Sequence, residues 1–331
     1  MKSNPNLFIV FSPLQIINAI EAIHHFKCKN NILVINYKPC QDKNNTQMDD
    51  LAGYHKWDEV IKVGSGGRRS KFLIYVSLIK RLKKVQYDHV FVAGFTSAIY
   101  TILANLKKNK LFLIDDGVGT ISEYNHILAP NKPIKLRLKH MRFWLFGIRT
   151  KFTDRIDLFT CFNLKPLPHI SVERNNLSWF QKEYASDAIM GNSVYFLGTI
   201  HRDGEGYEAY VKILDNFLRE QSVKVIYVPH RYEKIKKSLR LILDKYNVEV
   251  RQLGMPVEIY FLTKKIIPYL VAGTASSAFF TLKLLYPNTK YKAIYHLTKE
   301  SEAYNLEEIN KYLSGIGVEV LDFKGGNYAN K

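Results

Sequence analysis

Cysteine is scarce in this chain of 331 residues: Cys28, Cys40 and Cys161 are odd in number and far apart. That excludes a disulfide framework and fits the reduced thiols of a cytosolic chain. No stretch reaches the roughly 18 consecutive apolar residues of a membrane span. The N-terminal MKSNPNLFIVFSPLQ has an apolar run of only five residues before Ser12 and Pro13, too short for a signal-peptide core. Metal-ligand patterns are missing as well. There is no CxxC and no HExxH, His24 and His25 fall on an expected helix without a ligand partner, and Asp49–Asp50 falls in an expected polar loop. Neither a metal nor a cofactor is therefore expected. A GxSxG nucleophile elbow is absent. The Gly-rich Val63-Gly-Ser-Gly-Gly-Arg-Arg lacks the Lys-Ser/Thr ending of a P-loop and reads as a flexible loop. Internal repeats and low-complexity tracts are also lacking.

Acidic residues are outnumbered, 30 against 48 Lys and Arg, which leaves a formal charge of +18. Such a surface attracts nucleic acid, anionic lipid or an anionic substrate. No RNP, KH or zinc signature accompanies the charge, so nucleic acid is not expected as a partner. The segment Lys132 to Arg155 carries eight Lys or Arg against one acid, interleaved with Leu136, Leu138, Phe143, Trp144, Leu145 and Phe146. One reading is a stretch lying on an anionic membrane surface. The other is a solvated helix with its apolar face turned inward.

Tyr and Phe together make up 40 residues and apolar residues 47%, ample for packed cores. Short β-branched and aromatic runs at 7–11, 31–37, 89–94 and 111–115 alternate with helical stretches at 13–27, 71–84 and 97–107. A second series of runs, at 193–198, 224–229, 248–254, 269–273 and 291–297, alternates with helical stretches at 207–220, 232–245, 257–263 and 275–285. This β-α-β-α order predicts parallel sheets covered by helices on both faces. The expected fold class is α/β: two Rossmann-like doubly wound domains facing one another across a cleft, with ligands at the carboxyl ends of the strands. Residues 1–164 form the first domain, 165–192 a linker with two prolines, and 193–331 the second, whose last helix is a candidate to pack back on the first.

Chemistry in such a fold collects where strands stop. After LFLI come Asp115, Asp116 and Gly117, and adjacent carboxylates on a strand end point to opposite sides. One of them would face the cleft as a general base and the other would support the turn, although Asp-Gly is also an ordinary turn sequence. After KVIYV come Pro229, His230 and Arg231, with Glu233 beyond. The histidine and arginine at an expected helix start suit an anion. After YLVAG come Thr274, Ala275, Ser276 and Ser277. These hydroxyls are either helix N-caps or a neutral phosphate cradle.

Taken in order, these segments resemble the motifs of bacterial sialyltransferases. Asp115-Asp116-Gly117 is similar to their acidic-acidic-Gly motif, Pro229-His230-Arg231 to their His-Pro motif, and Ser276-Ser277 to their paired-Ser motif. Ser12-Pro13-Leu14-Gln15, Gly198 and Pro256-Val257-Glu258, the last with its Glu 18 residues before Ser276, add to a likeness with glycosyltransferase family 52, which sialylates lipooligosaccharides and some capsules. The likeness runs from residue 7 to 297. Arg231 departs from it, standing where many relatives have proline.

The resemblance implies the GT-B architecture and an inverting transfer of sialic acid, or another nonulosonic acid, from a CMP-activated donor to a glycan or glycolipid acceptor. It implies Asp115 as general base, with Asp116 as the alternative, and His230 at the departing phosphate. It further implies Ser276 and Ser277 on that phosphate, Glu258 at the cytosine, and Gly198 where the backbone approaches the nucleotide. Gln15, Arg231 and Thr274 join the expected donor-binding set. The expected place is the bacterial cytoplasm, peripheral at the inner membrane, and a homodimer stays open.

Overall fold

The computed structural model describes residues 3–64, 68–94, 96–131, 138–185, 187–200, 205–274, 276–295 and 306–322. The chain divides into two compact units, 1–179 and 180–331. No helix among the described residues is long and apolar enough to cross a membrane.

The first unit is built on seven strands: β1 (Asn6–Val10), β2 (Asn31–Asn36), β3 (Glu59–Val63), β4 (Gln86–Ala93), β5 (Lys107–Ile114), β6 (Asp157–Thr160) and β7 (Val172–Arg174). They lie in the order β3-β2-β1-β4-β5-β6-β7, and every pairing is parallel. Helices α1 (Pro13–His25), α2 (Asp42–Ala52), α3 (Arg68–Leu82), α4 (Ser97–Leu103) and the short α5 (Gly119–Glu123) connect them. Because helices cover the sheet, all five residues of the central strand β1 are buried, as are the last four of β4 and of β5. Phe8, Phe91 and Phe112 are partners in register on β1, β4 and β5. Their rings stack at 4.6 and 5.4 Å, and Phe26 leans on Phe91 and Phe112 at 5.5 and 4.7 Å. Each such buried ring stabilises the sheet by about 1.5–3 kcal/mol.

The second unit repeats the plan. Its strands are β9 (Val194–Leu197), β10 (Val225–Val228), β11 (Glu249–Val250), β13 (Leu270–Gly273), β14 (Lys290–Tyr295) and β15 (Glu319–Asp322), in the order β11-β10-β9-β13-β14-β15. All are parallel. Between them run α7 (Glu205–Arg219), α8 (Lys237–Lys245), α9 (Val257–Lys264), α10 (Ala278–Leu285) and α11 (Leu306–Gly315). Phe196 and Tyr227 from the sheet pack with Tyr210, Leu214, Leu239 and Leu243 from the helices. A two-stranded pair, β8 (Ile189–Met190) with β12 (Ile266–Ile267), stands apart.

Three expectations change. The stretch 165–192 is not a bare linker: Val172–Arg174 is the edge strand of the first sheet, Ser178–Tyr184 is a helix (α6), and the two units meet at 179 and 180. A three-residue edge strand flanked by irregular polarity has too little alternation to register in the sequence. Asp49 and Asp50 belong to α2, not to a loop. The last described helix, α11, packs beside β15 in the second unit. Residues 65–67 of the Gly-rich stretch and Ala275 lie outside the described residues.

Candidate functional site

In both sheets the strand order reverses beside the first strand of the sheet, between β1 and β4 and between β9 and β13. Connections leave those strands toward opposite faces, which opens a crevice at their carboxyl ends. The sequence-predicted residues collect at or beside these two points.

In the first unit the two aspartates part company. Asp115 is 1% exposed, whereas Asp116 is exposed. Asp115 turns toward β6, where Thr160 donates its hydroxyl to Oδ1 at 2.6 Å and the Cys161 N–H donates to Oδ2 at 2.7 Å. Burial pushes the Asp115 carboxyl up to about 6, and the bonds from Thr160 and Cys161 oppose that rise. Asn18 donates to its backbone carbonyl at 3.1 Å and is itself held by Asn175 at 2.9 Å. Both oxygens of the buried Asp115 carboxylate are thus bonded within the fold, which leaves Asp116 as the exposed carboxylate of the pair.

Asp116 carries the exposed carboxylate. Its backbone N–H donates to Thr120 Oγ1 at 3.0 Å, and Gly117 follows with φ +67°, a conformation glycine adopts freely. Gln15, 1% exposed on α1, donates from Nε2 to Asp116 Oδ1 at 2.5 Å. Its Oε1 accepts the Phe11 backbone N–H at 2.6 Å. A backbone N–H can only donate, so the amide orientation is fixed and its NH₂ faces the carboxylate. Gln15 was expected on the donor; it lies in the first unit, underneath Asp116.

In the second unit His230 follows β10 in a turn whose Glu233 N–H donates to the His230 carbonyl at 2.7 Å. Helix α8 begins only at Lys237, so His230 does not sit at a helix start as expected. Tyr232 donates its backbone N–H to His230 Nδ1 at 3.2 Å, which leaves the ring proton of the neutral imidazole on Nε2. Burial, and then the charge of Arg231, lower the His230 pKa to about 4, so the ring is neutral at pH 7.

The Arg231 charge also acts on Glu258, which brings His230, Arg231 and Glu258 into one neighbourhood. Glu258 is 7% exposed in the first turn of α9 and accepts the Thr281 hydroxyl at 2.6 Å. Burial raises its pKa, while Thr281 and Arg231 oppose the rise. Ser277 is the N-cap residue of α10, and Ser276 Oγ accepts the Ala278 N–H at 3.3 Å. Thr274, Ser276 and Ser277 are all half-buried at the carboxyl end of β13.

Gly198 directly follows β9 and packs against the side chains of Glu233 and Tyr227. A Cβ there would lie 2.2 Å from Glu233 Oε2 and 2.6 Å from the Tyr227 hydroxyl. The glycine makes room for a side-chain cluster. The residues that sequence reasoning passed over are the supporting ones: Thr160, Asn18, Tyr210, Tyr227 and Thr281. Only Glu233, three residues past His230, carried a local signal.

Two parallel α/β units with polar residues at both switch points define a GT-B-type fold, and solved structures agree. The α/β-galactoside α-2,3-sialyltransferase of Photobacterium phosphoreum is similar at TM-score 0.56 and 15% identity, with 98% of this chain and 99% of that one covered. The UDP-GlcNAc 2-epimerase of Neisseria meningitidis is similar at TM-score 0.55 and 12% identity, covering 95% and 94%. Transferase and epimerase share the architecture, so it defines the fold and leaves the reaction open. The family narrows it: the sequence model of the alpha-2,8-polysialyltransferase (POLYST) family matches residues 6–295, and the chain belongs to that family. It is a glycosyltransferase of sialic acid. Among curated proteins, none matches the chain.

Proposed function

We propose that the chain is an inverting, metal-independent transferase that moves sialic acid, or a related nonulosonic acid, from a CMP-activated donor to a hydroxyl of a cell-surface glycan such as lipooligosaccharide or capsule. The observation that carries this reading is the exposed Asp116, held from beneath by Gln15, in a chain of the polysialyltransferase family. Asp116 takes the proton of the acceptor hydroxyl. The acceptor oxygen bonds to the anomeric carbon as the carbon–oxygen bond to CMP breaks, and CMP leaves with the electron pair on its phosphate. Such an in-line displacement needs a base at the attacking oxygen and hydrogen-bond donors at the leaving phosphate, with no covalent intermediate.

The donor side rests on His230. As a neutral ring with its proton on Nε2, it donates a hydrogen bond to the departing phosphate and does not transfer a proton to it. The Ser276 and Ser277 hydroxyls add neutral donors, and Thr274 and Arg231 border them. The Glu258 carboxyl, oriented by Thr281, reads the cytosine. The family's α-2,8 description favours an acceptor that already ends in sialic acid.

The proposed place is the cytoplasmic face of the inner membrane. Trp144 and Leu145, 59% and 85% exposed, stand among the exposed Arg142, Arg149, Lys151 and Arg155. Lys132, Lys135 and Arg137 of the same basic segment lie outside the described residues.

A panel of CMP-activated sialic, legionaminic and pseudaminic acids, each assayed for CMP release with and without glycan acceptors, tests the reading. Acceptor-dependent release from one of them is expected. Release from none, beside turnover of a UDP- or GDP-sugar, would overturn it.

A further inference from the structure

Glu233 is half-buried, has no lysine or arginine partner among the described ion pairs, and was assigned no role by the chemistry above. Its two oxygens do different work. Oε2 accepts the backbone N–H of His230 at 3.0 Å. Oε1 accepts the hydroxyl of Tyr227, which is 0% exposed in the last turnward half of β10. Tyr227 and Tyr210 place their hydroxyl oxygens 2.6 Å apart. A phenol has one proton, and that of Tyr227 goes to the carboxylate, so Tyr210 is the donor between the two rings. The result is a directed chain from Tyr210 through Tyr227 to Glu233, closed by the His230 N–H.

Burying a carboxylate is costly unless its oxygens are satisfied. Here burial raises the Glu233 pKa, and the bonds from Tyr227 and the His230 N–H oppose the rise. A turn after a β-strand does not need such a device merely to reverse direction. The clamp joins the first residue of the turn to the buried end of the sheet. It therefore sets where the His230 backbone stands and, through the Tyr232 N–H on Nδ1, which way the ring points. Gly198 belongs to the same device, since any side chain there would enter the volume of the Glu233 carboxylate.

We infer that Glu233 is a positioning residue for His230, tying the histidine turn to the sheet through Tyr227 and Tyr210, with Gly198 left bare to admit it. The inference rests on the reading of His230 as the donor-phosphate ligand. Glu233 itself touches no substrate.

The test is a double-mutant cycle of His230→Ala, Glu233→Ala and the pair, measured as kcat and KM with CMP-sialic acid, with a thermal melt of each variant. Glu233→Ala is expected to lower kcat on the order of 10- to 100-fold, the worth of lost hydrogen bonds to a charged group. In the His230→Ala background the same change should cost less than about twofold, because its target is gone. Glu233→Gln should recover most of the loss. Its amide oxygen can serve the His230 N–H while Tyr227 accepts from its NH₂ and donates in turn to Tyr210. Gly198→Ala should behave like Glu233→Ala.

Normal turnover in Glu233→Ala beside an impaired His230→Ala, or losses that multiply in the pair, would overturn the inference and leave the His230 reading standing. Normal turnover in His230→Ala would instead remove the His230 reading. Should Glu233→Ala not give a cooperative melt, Tyr227→Phe takes its place in the cycle, with a smaller loss and the same non-additivity expected.

Discussion

Two adjacent carboxylates with one peptide between them occupy opposite environments in this protein. Asp115 spends both oxygens on Thr160 and Cys161, and Asp116 keeps one for Gln15 and offers the rest of its surface to solvent. Asp116→Asn is expected to lower turnover on the order of 10²–10⁴, the usual worth of a general base, with an unchanged thermal melt. Asp115→Asn should lose far less turnover. A steady-state comparison decides between them: near-normal turnover in Asp116→Asn with collapse in a well-folded Asp115→Asn would return the base to Asp115. Stability separates the two residues independently. The folded-state pKa of Asp115 is raised from 3.8 to about 6, so between those values the native state binds more protons than the unfolded chain. Its contribution is thus fully present below about pH 3.8 and is lost as pH rises through about 6. The wild-type-minus-variant difference for Asp115→Asn should decline across that window by about 3 kcal/mol, as read by urea unfolding at pH 4, 5, 6 and 7. A flat difference would contradict the buried placement.

At the scale of elements, the candidate residues stand at strand ends, and one surface stretch combines basic with exposed apolar side chains. The 3-10 segment Leu138–Phe146 packs Phe143 and Phe146 against Phe72 of α3, at 4.7 and 5.4 Å, and Arg142 lies over the Phe72 ring at 4.0 Å. That packing leaves Trp144 and Leu145 on the outside. One set of the segment's apolar residues is therefore buried and another is exposed. Trp144→Glu and Leu145→Glu together should reduce co-sedimentation with phosphatidylglycerol vesicles without lowering turnover on a soluble acceptor. Charge attraction of about 1 kcal/mol per basic residue should make the wild-type binding weaken with salt. Equal binding to neutral and anionic vesicles, or none to either, would sink the membrane proposal. Central strands such as β1, β4 and β9 were legible as continuous apolar runs. The half-exposed β3, the four-residue β6 and the three-residue β7 were not, because each is either exposed at alternate positions or too short to read.

For the molecule as a whole, the proposed function assigns donor binding to residues of the second unit and proton abstraction to a residue of the first. Glu258→Gln and Ser276→Ala should therefore each weaken CMP binding about ten- to a hundredfold in calorimetric titration, while Asp116→Asn leaves it nearly unchanged. Unchanged affinity in both donor-side variants would place the nucleotide elsewhere. The alternation of parallel strands with helices and the polar residues at several strand ends were determined by the sequence alone. These properties are local: periodicity and turn residues are written within a few positions of where they act. Which aspartate is exposed was decided only by the fold, through Thr160 at a separation of 45 residues and Gln15 at a separation of 101. The same holds for Gly198, whose bareness answers to Glu233 and Tyr227 on the neighbouring strand and its turn. A side chain's partners come from whatever the sheet order sets beside it, and that order places β6 next to β5 and α1 beneath Asp116. Chemistry at a strand end is thus announced by residue type, while its assignment to one carboxylate or the other is made by neighbours distant in sequence.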